Sequence, residues 1–256
     1  MTHMAVDSRV YGANFRSSPG FGDNVIGFLN QGDPVEATGP QQGGRWIPCR
    51  ATVKASTVDG FVSKNVLRKQ VSAAKEKLMR ECVKQWLRFE KGHGKETETP
   101  FDRFVGEFWS SIGLSLTGDD ADVPWSAAFI SFCVRTAGYT KFKFAAAHSK
   151  YANQAIRRKL DNEAGPFWGF RTTEHKPQLG DMVCRRRQSG VTYDFAATHH
   201  SFKSHCDIVI SIRDDHVSTI GGNVSNSVST TTYRLNSRGF LDSDGGRVYA
   251  VLRNNL

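Results

Sequence analysis

Between residues 5 and 68 the apolar positions come in short runs: "VIGFL" (25–29), "VEAT" (35–38), "RWIPCRATV" (45–53) and "DGFVSKNVL" (59–67). They are separated by the turn-rich stretches "SPGFGDN" (18–24), "NQGDP" (30–34) and "GPQQGG" (39–44). Strands this short and closely spaced predict a small β-barrel. At Val71 the period changes. In "VSAAKEKLMRECVKQWLRFEKG" (71–92), Ala74, Leu78, Cys82, Trp86 and Phe89 recur at steps of three or four, which predicts an amphipathic helix closed by Gly92. "PFDRFVGEFWSSIG" (100–113) reads as a second helix with Pro100 in its first turn. "DVPWSAAFISFCVRTAGY" (122–139) reads as a third, with Asp122 and Pro124 as start signals and Gly138 as the stop. Strand patterns follow at 177–186, 204–212, 217–225 and 248–253. Helices followed by antiparallel strands predict an α+β domain over 72–256, behind the barrel at 5–68.

Two elements carry residues with chemistry. The apolar stripe of the third helix is Phe129, Ile130, Cys133, Val134 and Ala137, and stepping back one turn from its head reaches Ser126. Ser126 therefore sits in the first turn on the buried face, near the positive end of the helix dipole and its unpaired backbone N–H groups. In "SHCDIVISI" (204–212), Ile208, Ile210 and Ile212 share one face, and His205, Asp207 and Val209 share the other.

Composition narrows the class. The 256 residues are 39% hydrophobic and 11% aromatic, enough for folded cores, and hold no apolar run long enough to span a membrane. The first residues show no basic-then-apolar leader, so synthesis in the cytoplasm without a signal peptide is expected. A net charge of +9 favours anionic partners. "CRRRQ" (184–188) and "IRRK" (156–159) match no nucleic-acid motif and read as solvated faces, so no nucleic acid is expected. The five cysteines have no CxxC spacing, and reduced buried thiols are expected. His199, His200, His205 and Cys206 match no zinc module, so neither metal nor cofactor is expected.

The residues also resemble known families. "YGANFRSSPGFGDNVIGFLNQGDPVEAT", with Trp46, Gly60 and Phe61, resembles a bacterial SH3-like (SH3b) domain, which implies a wall-targeting module over 5–68. "PWSAAF", "GDMV" (180–183), "HCDIV" (205–209) and "GGN" (221–223) follow the motif order of the NlpC/P60 and CHAP papain-like peptidoglycan hydrolases, with Ser126 where those carry a nucleophilic Cys. With "FAAAHSKYANQAI" (144–156), the segment is still more similar to DUF2272. The resemblance implies a papain-like domain with helices packed on an antiparallel sheet, Ser126 as nucleophile and His205 as base. It implies Asn223 as the residue that holds His205; Asp207, two residues from His205 on the same strand face, is an equal candidate, and Trp125, His148 and Tyr151 are expected on the substrate side.

A serine cannot ionise as a thiol does, so it needs a base that takes its proton during attack and a third group to orient that base. The expected function is a peptidoglycan amidase or endopeptidase acting in the periplasm or wall of a target cell. A phage lysin and a secreted antibacterial effector are both consistent with this, the effector implying secretion machinery and an immunity protein. The alternatives are an inactive peptidoglycan-binding protein and a serine esterase acting on wall acyl groups.

Overall fold

The computed structural model describes residues 2–7, 12–120 and 122–256; positions 1, 8–11 (inside the expected barrel segment) and 121 lie outside the described residues. The chain divides into two compact units, Met1–Glu76 and Lys77–Leu256.

The first unit holds β1 (Thr2–Val6), β2 (Ala13–Arg16), β3 (Val25–Leu29), β4 (Pro34–Ala37), β5 (Trp46–Val53), β6 (Ser56–Ser63) and β7 (Leu67–Lys69). They form one antiparallel sheet in the order β3-β2-β6-β5-β4-β1-β7. Among the described residues the ladder runs from β3 to β7 without closing into a barrel. β5 shows why it folds: Cys49, Ala51 and Val53 are buried while Arg50 and Thr52 face solvent, the period-2 alternation of a half-buried strand. Its inner residues join Val6, Phe15, Leu29, Val35, Val62 and Leu67 in one core. Gly60 is where two strands meet most closely, since a Cβ there would lie 2.7 Å from the Phe15 ring and 2.6 Å from the Arg16 carbonyl.

The second unit is α+β. Its six-stranded antiparallel sheet runs β12-β11-β10-β9-β13-β8, built from β8 (Phe167–Phe170), β9 (Met182–Arg186), β10 (Ser204–Ile212), β11 (His216–Gly221), β12 (Ser229–Arg234) and β13 (Val248–Asn254). The helices are α1 (Ala73–Arg88), α2 (Phe101–Ser110), α3 (Ser126–Thr136), α4 (His148–Leu160) and α5 (Tyr193–Thr198). No helix of the described residues is long and apolar enough to cross a membrane.

The helical stripes bury as their spacing requires. Leu78, Cys82, Trp86 and Phe89 are buried along and just beyond α1, and Phe129, Ile130, Cys133 and Val134 along α3. α3 ends in a Schellman motif: Tyr139 N–H donates to the Val134 carbonyl (3.2 Å) and Gly138 N–H to that of Arg135 (2.9 Å), with Gly138 at φ 91°. Phe89, Phe108, Trp125 and Phe129 stack or meet edge-on at 5.4–6.2 Å, which anchors the head of α3. Removing one such ring from a core costs about 3–5 kcal/mol. α3 and α4 both pack against β10. That strand is buried along nearly its whole length, so the two helix starts and one strand converge.

One expectation fails for two of the five cysteines. Cys184 and Cys206 form a disulfide, while Cys49, Cys82 and Cys133 are free and buried. The two bridged cysteines are register partners on β9 and β10, with Cα atoms 4.3 Å apart. Strand register, not spacing along the chain, brings them together, so cysteine spacing could not reveal the pair.

Candidate active site

Ser126 is the first residue of α3, directly after Trp125 at the cap position. No side chain caps this end, so the first backbone N–H groups stay without helical partners. The Ser126 Oγ lies 2.6 Å from Nε2 of His148, itself the first residue of α4. The two helices thus begin at the same place, and both residues are buried.

The tautomer of His148 follows from a donor that cannot change role. The backbone N–H of Cys206 donates to His148 Nδ1 at 3.2 Å, and the Tyr151 hydroxyl also contacts Nδ1. Nδ1 must therefore carry the lone pair, and in neutral imidazole the proton sits on Nε2. Burial first, and then the neighbouring His205, holds the His148 pKa well below the usual imidazole value, so the ring is neutral near pH 7. His148 Nε2–H consequently donates to Ser126 Oγ, and the serine's own proton is left for another acceptor.

His205 supplies a second imidazole. Its ring centre lies 5.1 Å from that of His148, and both line one cavity with Ser126. His205 Nε2 is 2.6 Å from Asp207 Oδ1, and the Tyr233 hydroxyl donates to Asp207 Oδ2 at 2.7 Å. Burial alone would push the Asp207 pKa up, but His205, Arg185 and the Tyr233 hydrogen bond outweigh it and hold the pKa at about 2. An ionised carboxylate only accepts, so His205 Nε2 carries a proton, and in the neutral ring the lone pair is then on Nδ1. Gly221 is required beside this pair: a Cβ there would stand 1.8 Å from Asp207 Oδ1 and 3.1 Å from His205 Nε2.

The cavity measures about 560 Å³. Trp109, Leu114, Leu116, Val123, Pro124 and Phe202 give it an apolar wall; Arg187, Lys203, Ser204 and Asn223 add polar groups.

The expected residues fall into three groups. Ser126, His148, His205 and Asn223 meet at the cavity, with Asp207 behind His205. Of the two candidates to hold His205, Asp207 makes the hydrogen bond, while Asn223 stands on the cavity wall at φ 53°. Trp125 and Tyr151 do not line the cavity. Trp125 is buried in the aromatic cluster with its indole N–H on Glu96, and Tyr151 holds His148 from behind. Sequence reasoning also missed that His148, rather than His205, is the hydrogen-bond partner of Ser126. Asp181 of "GDMV" is structural: it accepts from His175 (2.8 Å) and from the backbone N–H groups of Gln178 (2.8 Å) and Asn254 (2.9 Å).

A family model described as "Uncharacterized protein conserved in bacteria (DUF2272)" matches residues 83–254. No curated protein matches the chain.

Proposed function

Given that the chain belongs to the DUF2272 family, we propose that its second unit is a serine hydrolase that cleaves amide bonds of peptidoglycan. The observation that carries this reading is the grouping of Ser126, a neutral His148 donating to it, and the buried His205–Asp207 pair around one cavity.

The division of labour follows from the two tautomers. His148 Nε2–H occupies a lone pair of Ser126 Oγ and turns the hydroxyl proton away from itself. His205 Nδ1 takes that proton as Oγ attacks the substrate carbonyl, and Asp207 balances the imidazolium that forms. The negative charge developing on the carbonyl oxygen is met by the free backbone N–H groups at the head of α3. His205 then returns the proton to the leaving amine, and water releases the acyl group from Ser126 by the same relay.

The peptidoglycan assignment is supported by the motif order shared with NlpC/P60 and CHAP hydrolases, by the SH3-like pattern in the first unit and by the positive charge. The Cys184–Cys206 disulfide supports action in an oxidising compartment such as the periplasm or the outer wall. A phage lysin or a delivered antibacterial effector would act in such a place. One feature favours a second reading, a serine esterase acting on wall acyl groups: a hydroxyl nucleophile beside an apolar wall suits esters more readily than amides.

The test is digestion of isolated sacculi followed by mass analysis of the soluble muropeptides. New amine and carboxyl ends, absent with Ser126→Ala and His205→Gln, are expected. Loss of acetyl groups would replace the amide reading with the esterase one. Unchanged sacculi, or full activity in Ser126→Ala, would overturn the site.

A further inference from the structure

The basic run at 184–188 reads in sequence as a solvated face, but the fold gathers it. Arg185, Arg186, Arg187 and Arg247, with Gln188, line a second, open cavity of about 400 Å³. Backbone pairing builds it: Arg185 is the register partner of His205 on β10 and of Val248 on β13, and Arg186 N–H donates to the Arg247 carbonyl at 2.8 Å. Arg187 belongs to both cavities, lining this one and the Ser126 cleft. Lys203, whose carbonyl accepts from Arg187 N–H, lines the cleft beside it.

Such a concentration of guanidinium groups is unfavourable unless something answers it. The ion pairs of the described residues take carboxylates to Arg50, Arg68, Arg88, Arg157, Arg158 and Arg171, and none to these four. Asp207 is the acidic group that acts on Arg185 and Arg187, and it is already committed to His205 and Tyr233. The Arg185 Nε is buried with no hydrogen-bond partner, a donor of the kind that costs free energy unless it is met. Arg186 is held in place by its Nε–H on the Gly246 carbonyl at 2.9 Å, which leaves its terminal nitrogens to the cavity. Planar guanidinium forks in this density match the oxygens of phosphate and of paired carboxylates.

We infer that the arginine-lined cavity is an oxyanion subsite of the catalytic cleft, and that the substrate cut at Ser126 carries a multiply charged oxyanion group, of the phosphate or dicarboxylate class, which seats there through Arg187 and Arg247. The link to cleavage rests on the proposed hydrolase function. The subsite itself does not.

The experiment is therefore a binding measurement. Inorganic phosphate and succinate are titrated separately into the full-length protein at constant ionic strength, by calorimetry and by the imidazole ¹⁵N signals of His205 and His148. One-to-one binding is expected, with a shift of the His205 signal, and the stronger of the two probes identifies the oxyanion class. Arg187→Gln combined with Arg247→Gln alters two exposed side chains and should weaken binding at least tenfold. Arg80→Gln, which removes an exposed charge elsewhere, should leave it within twofold. Binding of neither probe, or equal loss in the Arg80→Gln control, would overturn the subsite. Binding that leaves the His205 signal unmoved would overturn its connection to the cleft. Intact binding alongside uncut sacculi would sink the hydrolase reading and spare the subsite.

Discussion

His148 is the residue on which the proposed chemistry turns. The sequence marks it as a histidine on the substrate side but not its role, because the group that fixes its tautomer is a backbone N–H at Cys206, on a strand that only tertiary packing brings near. Tyr151 left a clearer trace: at three residues' spacing it shares a helix face with His148 and can reach its ring. The Asp207 contact was equally legible, since residues two apart on a strand project from one face. His148 also makes a prediction for stability. Its folded pKa is depressed by burial and then by His205, whereas the unfolded chain protonates near pH 6.5. The stability this contributes is complete above that pH and is lost as the pH falls below it. Relative to His148→Gln, the wild type should lose about 1 kcal/mol between pH 6.5 and 5.5 in urea unfolding. An identical acid slope in the variant would show that His148 is not held neutral.

At the scale of elements, the period-3.6 stripe of α3 located Ser126 on the buried side of a first turn, as found. It could not show that Trp125 turns into the aromatic cluster, because the residue before a helix has no assigned face. The strands of the second sheet were recognisable as apolar runs between turn signals, except β8, only four residues long, and β12, whose threonine-rich segment carries a weak apolar signal. Register was not recognisable, and with it went both the Cys184–Cys206 bridge and the gathering of arginines around Arg185. The bridge joins residues 22 apart, and closing a loop of that size stabilises by about 3 kcal/mol in the chain-entropy treatment. Cys184→Ala with Cys206→Ala should lower the urea-unfolding free energy by about that amount, and treatment of the wild type with reductant should do the same. No change on reduction would mean that the two thiols are unbridged in solution.

At the scale of the whole molecule, the change of pattern near Val71 announced two units, and the chain divides within a few residues of it, at Glu76 and Lys77. The net charge of +9 belongs to this scale too. Attraction to an anionic wall acts over about 10 Å at 0.1 M salt and is screened above it, so retention on sacculi of the Ser126→Ala protein should fall several-fold between 50 and 500 mM NaCl. Salt-independent retention would assign binding to apolar contacts instead. The central claim, that the fold delivers a serine activated by His205, is tested most directly by intact-mass analysis after treatment with a fluorophosphonate. One adduct is expected, mapped to Ser126, and it disappears in His205→Gln. An adduct at another residue, no adduct at all, or undiminished labelling in His205→Gln would contradict it.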